Sequence, residues 1–194
     1  MASGWMIAAA GWAFAFFNAK TQEERKARIE RVNQQLRDFY GPLLACVTAT
    51  KSAYDAMVRQ HSPDGTLQRF QELCMAEPSG PQAAAYKIWM EKVLQPLNEK
   101  AAGIIAEHID LLDAQHVVPE LLQLVAHVSA MRVILARWQD GEPGPFYGSM
   151  ISYPDKLREF VITEFARIKA KQAGLLGFKP PFAHSTLPQL RSKL

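Results

Sequence analysis

Cysteine is scarce in this 194-residue chain, which contains only Cys46 and Cys74. Two thiols provide no disulfide framework for a domain of this length. Both lie among apolar residues in helical patterns, so we interpret them as reduced residues of the core. The alternative, a redox pair, would need their Cα atoms within about 7 Å of each other.

Motifs of the common enzyme classes are also absent. The chain contains no GxSxG nucleophile elbow, no P-loop, no GxGxxG fingerprint and no kinase motif. The five histidines, at positions 61, 108, 116, 127 and 184, lack partners at the spacing of HExxH, ExxH or CxxC metal sites. We therefore assign no catalytic residue, cofactor or metal ligand, and the sequence disfavours an enzymatic function.

One group of polar residues could still form a metal or acid-base site if a helical bundle gathered it. Its members are Glu107, His108, Asp110, His116, Glu120 and His127. Sites in helical bundles normally project several carboxylates inward. These residues serve equally well as polar groups at helix ends and on the surface, so the site stays an alternative.

Sustained alternation of apolar and polar residues, which is typical of strands, is missing as well. Apolar residues instead recur every three or four positions, and a hydrophobic content of 48% supports one domain with a substantial core. We predict an all-α fold: a helical bundle of about five helices with a short N-terminal transmembrane or apolar helix. The predicted helices run from the capping box at Thr21 to a stop at Gly41-Pro42, from Pro42 to about His61, from Leu67 to Met75, from Gln82 to Leu112 with a kink or split at Pro96, from Pro119 to Trp138, and onward from Pro154.

Charge is absent from residues 2–17, and the apolar run extends to Ala19. This length is near the lower limit of about 17 residues that can span a bilayer. Basic residues follow at once, beginning with Lys20 and Arg25, so the positive-inside bias predicts a single-pass protein with its bulk on the cytoplasmic or equivalent side. A secretory signal would carry its positive charge before the apolar run.

The apolar run also carries small and aromatic residues at helical spacing, which would let one face pack closely against another helix while indoles sit near the interface. We assign the membrane anchor to Gly4, Trp5, Ala8, Gly11, Trp12, Phe14, Phe16 and Phe17. The expected partners are membrane lipid and either a membrane protein or a second copy of the chain. The alternative is an apolar core helix, or an arm buried in a soluble oligomer.

Acidic residues are absent after Glu164, whereas six basic residues follow it. We divide the chain into an apolar N-terminal anchor helix (1–19), a helical bundle domain (20–173) and a basic, proline-containing tail (174–194) that we predict to be extended. Six charges over thirty residues are modest, and anionic lipid would attract them equally, so we expect no nucleic-acid partner.

The last three residues, Ser192, Lys193 and Leu194, match the peroxisomal address S-K-L and are the candidate targeting residues. This address conflicts with an N-terminal anchor, because an anchored protein does not normally present its tail to the matrix import receptor. It therefore defines the alternative interpretation, a peroxisome-targeted soluble helical protein that is an enzyme or an apolar-ligand binder. A ligand pocket would use the wide apolar faces of the central helices and the irregular loop at 139–153.

The stretch from Arg31 to Leu44 (RVNQQLRDFYGPLL) resembles a loose group of uncharacterised, membrane-anchored helical proteins of bacteria and algae. In that group a short N-terminal apolar segment leads to a charged helix that ends in a Tyr-Gly-Pro-Leu corner, here Tyr40 to Leu43. The resemblance covers about the first quarter of the chain and implies no activity or cofactor. The leading interpretation is a non-enzymatic, membrane-anchored scaffold or accessory subunit that acts by protein–protein interaction in a membrane assembly.

Overall fold

The computed structural model describes residues 2–113, 118–141 and 151–178, with the backbone alone for residues 2–11 and 13. Within these ranges the chain is all-α and contains no strand, which confirms the predicted fold class. The described helices are α1 (Ala2–Gln34), α2 (Gly41–His61), α3 (Leu67–Ala76), α4 (Pro81–Trp89), α5 (Gln95–His108), α6 (Pro119–Gln139) and α7 (Leu157–Leu176). A 3-10 turn, Ile109–Leu111, follows α5.

Two π-helical turns, Gln35–Tyr40 and Met90–Leu94, each end just before the dipeptide that contains a helix-interior proline. The Gly41 N–H donates to the Leu36 carbonyl, and the Gln95 N–H donates to the Met90 carbonyl, so each bond reaches five residues back. A proline ring collides with the carbonyl four residues earlier in a regular α-helix. The wider turn relieves this collision without a loop.

The predicted stop at Gly41-Pro42 is therefore wrong, because helical turns follow one another from α1 through Gln35–Tyr40 into α2. At Pro96 the predicted interruption is present, in the form of the π turn between α4 and α5. A Cβ on Gly41 would lie 2.5 Å from the Leu36 carbonyl oxygen, so the first π turn requires glycine at this position.

Both ends of the predicted helical region also differ from expectation. Thr21 does not cap a helix, because it lies inside α1, where its hydroxyl donates to the Phe17 carbonyl at 2.8 Å. The tail is not extended from Gly174, because α7 continues to Leu176. Gly177, at φ 83°, then closes the helix, and the Phe178 N–H donates to the Ala173 carbonyl at 2.9 Å.

The chain divides into two compact units. The first combines residues 1–33 with residues 166–194. In it the Arg25 guanidinium donates to the Leu175 carbonyl at 2.8 and 3.2 Å, and the Gln172 amide donates to Asn33 Oδ1 at 2.7 Å. These bonds join α1 and the end of α7 as an antiparallel pair.

The second unit spans residues 34–165 and has its core where α2, α5 and α6 pack together. Phe39 and Tyr40 are fully buried and meet edge to face, with ring centroids 4.9 Å apart. A second cluster packs Met57, Phe70 and Leu94 beside buried residues of α6. The core of this unit therefore draws on α3 and α4 as well as on the three longer helices.

Candidate functional site

The first candidate region is the aromatic segment, residues 12–17 of α1. Its large side chains are mostly exposed: Trp12 72%, Phe14 75%, Phe16 52% and Phe17 64%. Trp12 stacks on Phe16 one turn later, with ring centroids 5.6 Å apart, and Phe16 meets Phe17 edge to face at 5.9 Å. The fold of the single chain thus leaves these four rings uncovered.

The other predicted anchor residues, Gly4, Trp5, Ala8 and Gly11, lie on the helical backbone of α1, and their side chains lie outside the described residues. The candidate targeting residues Ser192, Lys193 and Leu194 also lie outside the described residues.

A band of exposed basic side chains follows the aromatic segment directly on α1. Lys20 and Arg28 are exposed, and Lys26 forms an ion pair with Glu23 at 3.1 Å. Aromatic rings followed by basic residues are typical of the boundary between a membrane and water.

Among the described residues, one helix is long and apolar enough to cross a bilayer by length and composition alone, and it is α6. In this helix 33% of the apolar window is buried, including Leu121, Leu124 and Val128. Arg132 also lies on α6 and forms an ion pair with Glu99 of α5 at 2.7 Å. We therefore assign α6 as a core helix of the second unit.

The second candidate region is the bundle cavity, a space of about 940 Å³ within residues 47–159. Residues of α2, α3, α4, α5 and α6 line it, together with the π turn Met90–Leu94 and the segment 151–153. Its apolar lining comes from Val47, Val58, Met90, Leu94 and Met131, and Tyr86 and Trp138 add aromatic rings. Volumes of 300–1,000 Å³ with mainly apolar walls are typical of small-molecule sites.

Two side chains of α6, one turn apart, hold the segment 151–153 against the cavity. The Gln123 amide donates to the Ser152 carbonyl at 3.1 Å, and His127 Nδ1 lies 2.7 Å from the Ile151 carbonyl. Burial lowers the pKa of His127, so the ring is neutral near pH 7 and Nδ1 carries the proton that bonds the carbonyl. The Nε2 lone pair is then left as an acceptor.

Tyr153, which this segment positions, meets His127 edge to face with centroids 5.7 Å apart. Burial raises the pKa of the Tyr153 hydroxyl to about 12, so this group is a neutral donor and acceptor. On the other wall, the Thr50 hydroxyl donates to Asn98 Oδ1 at 3.1 Å, and both residues are buried. The cavity therefore combines apolar walls with a few neutral polar groups.

Charged residues are confined to the rim of the cavity. Lys51 pairs with Asp55 on α2, and Arg59, Asp155, Arg158 and Glu159 are also at the rim. The three basic and three acidic side chains balance, so the rim presents no net charge to a ligand.

The alternative metal or acid-base group considered from the sequence is not brought together in the described residues. No set of three or more His, Cys, Asp or Glu side chains suited to a metal occurs among them, and His116 lies outside them. Cys46 and Cys74 are free and buried, as predicted, and burial raises the pKa of the Cys46 thiol and raises that of Cys74 to about 11.

Sequence reasoning did not find Asn98, Thr50 or Tyr153, because none belongs to a motif. The available signals were the wide apolar surface of α6 and the irregular loop beside it, which pointed to a pocket but not to its polar groups.

No protein-family model, no curated protein and no solved structure matches this chain.

Proposed function

We propose that the protein is a membrane-anchored helical protein that acts by binding other proteins rather than by catalysis. The observation that carries this proposal is the aromatic segment, whose four rings remain exposed in the folded chain. Burying a ring of this kind away from water contributes about 1.5–3 kcal/mol, so the uncovered segment has a large gain available from a bilayer or a partner helix. We also propose that the chain belongs with the membrane-anchored helical proteins that it resembles at Tyr40 to Leu43.

Composition favours the bilayer over a groove on another protein. Residues 2–17 carry no charge and are apolar on every side of the helix, whereas a helix that docks in a groove needs only one apolar face. The basic residues that follow favour a topology with the bulk of the chain on the cytoplasmic or equivalent side.

Membrane extraction tests the anchor. Full-length protein and a variant that begins at Lys20 are expressed, and their membranes are treated with carbonate and then with detergent. We expect only the full-length chain to resist carbonate and to be released by detergent. Full-length protein that is a soluble monomer without detergent would refute the proposal and direct attention to the S-K-L address at Ser192 to Leu194.

The partner is proposed to pack on the small residues of the anchor, Gly4, Ala8 and Gly11, which share one helix face and permit close approach of backbones. The test is co-purification of the full-length chain with its partner, or with a tagged second copy, after Gly4→Ile and Ala8→Ile. Ala13→Ile on the opposite face is the matched control. Equal loss of association in all variants would show that this face has no special role.

A further inference from the structure

We propose that the bundle cavity is a binding site for a neutral, elongated, largely apolar molecule that carries a hydroxyl group. This inference concerns the second unit alone and does not depend on the membrane anchor. A site of this kind needs space of the right size and length, apolar walls, and polar groups that match the ligand in number and character.

The dimensions favour an elongated ligand. The cavity lining extends along α6 from His127 to Trp138, which is about 16 Å at 1.5 Å per residue. Along α2 it extends from Val47 to Arg59, a similar length. Both walls therefore offer a length of at least about 16 Å to a ligand.

The polar groups share one end of this space. Asn98 bonds Thr50 on α2, and Gln95, one turn before Asn98 on α5, donates to the carbonyl of Val128, the residue after His127. His127 meets Tyr153 ring to ring, so both pairs of residues lie near the same part of α5. The opposite end contains Tyr86, Met90 and Trp138.

Three polar atoms at that end have no hydrogen-bond partner in the part of the chain that the structure describes: Asn98 Nδ2, His127 Nε2 and Tyr153 Oη. Asn98 is only 3% exposed. Each of the three atoms still has some solvent-accessible surface, whereas Trp138 Nε1 has almost none. Buried polar groups normally find partners, so these atoms call for a ligand group or water in the cavity.

The unpaired atoms comprise a donor, an acceptor and a hydroxyl that can do either. A ligand hydroxyl matches this set, because it can donate to His127 Nε2 and accept from Tyr153 Oη, whose ring meets the His127 ring. An anionic head group has no buried positive charge to meet here, and a pure hydrocarbon would leave all three atoms unpaired.

The experiment uses the full chain in a mild non-ionic detergent, which requires no insertion in a bilayer, and a photoreactive diazirine analogue of 1-tetradecanol, with labelled peptides identified by mass spectrometry. Competitors are 1-tetradecanol, tetradecane and tetradecanoate, which share one chain length and differ only in the head group. We expect labelling within residues 47–59 and 127–138, with 1-tetradecanol competing about five- to tenfold better than tetradecane, as expected for one net hydrogen bond.

Tyr153→Phe should abolish that preference and leave competition by tetradecane unchanged. Tyr40→Phe, a buried tyrosine outside the cavity lining, is the matched control and should keep the preference. Met131→Trp, which fills the cavity, should remove labelling even if Tyr153→Phe is poorly folded. Labelling only outside the cavity, equal competition by alcohol and alkane, an unchanged preference in Tyr153→Phe, or stronger competition by tetradecanoate would each overturn the proposal.

Discussion

Helix α6 and the aromatic segment of α1 are both apolar helical stretches, yet they have opposite surroundings. Helix α6 buries Leu121, Leu124 and Met131 in the second unit, whereas the rings of the aromatic segment lie exposed. Among the residues whose side chains are described, which leave out 2–11 and 13, only α6 meets the length and composition of a membrane span, although it packs in the core of the second unit. Apolar composition therefore identifies a helix that must be covered, and only burial shows what covers it.

The largest expected effect comes from comparing how much α6 and the aromatic segment each contribute to the free energy of unfolding. Leu124→Ala should lower the free energy of unfolding by about 2–5 kcal/mol, because it leaves a cavity around a fully buried side chain. Phe17→Ala should change that free energy by less than about 0.5 kcal/mol, since Phe17 is mostly exposed. Urea unfolding followed by circular dichroism in one detergent measures both, and equal losses would mean that the aromatic segment is part of the core.

The second test addresses the medium that covers the aromatic segment. Ala10→Arg at the centre of the apolar run should raise the cost of bilayer insertion by about 2.5–3.5 kcal/mol and reduce the carbonate-resistant fraction. Asn18→Arg, at the edge of the run, provides the control and should leave that fraction nearly unchanged. The two variants would behave alike if the segment docks on a protein surface.

The third test concerns the π turn Gln35–Tyr40 before Pro42 and its requirement for glycine at position 41. Gly41→Ala should destabilise the chain by about 1–3 kcal/mol, because its Cβ would collide with the Leu36 carbonyl oxygen. Gly103→Ala on α5 meets no atom within 4 Å and should instead stabilise by about 0.5–1 kcal/mol. Thermal unfolding of the two variants gives the signs, and stabilisation by both would contradict the π turn.

The smallest expected effect is a pH dependence from the cavity. The pKa of His127 is lower in the folded chain than its unfolded value of about 6.5. As pH decreases, His127 is therefore protonated in the unfolded chain at a higher pH than in the folded chain, which favours unfolding. Stability should therefore fall as pH decreases from about 6.5 through the folded pKa, and it should not change above that window. His127→Gln should reduce this slope in urea titrations between pH 5 and 7.5, and an identical slope would show that His127 is not held neutral.

Much of the secondary structure could be predicted from sequence because apolar spacing is a local signal. The periodicity predicted α6 from Pro119 to Trp138, and the helix ends one residue later. Thr21 and Pro42 misled the prediction, since a capping residue and a proline also fit inside a helix when a backbone carbonyl or a π turn accommodates them. Local rules for helix ends include neither a hydroxyl that bonds a carbonyl one turn earlier nor a π turn before a proline.

The sequence by itself determined an all-α chain, an uncharged N-terminal segment, two core thiols and the absence of familiar catalytic motifs. These properties depend on residue type and spacing along one helix. The tertiary structure alone decided that Leu121, Leu124 and Met131 of α6 are buried, that the rings of residues 12–17 are not, and that Asn98, His127 and Tyr153 line one cavity. Those three residues come from separate elements, and only packing brings groups so far apart in sequence to one cavity.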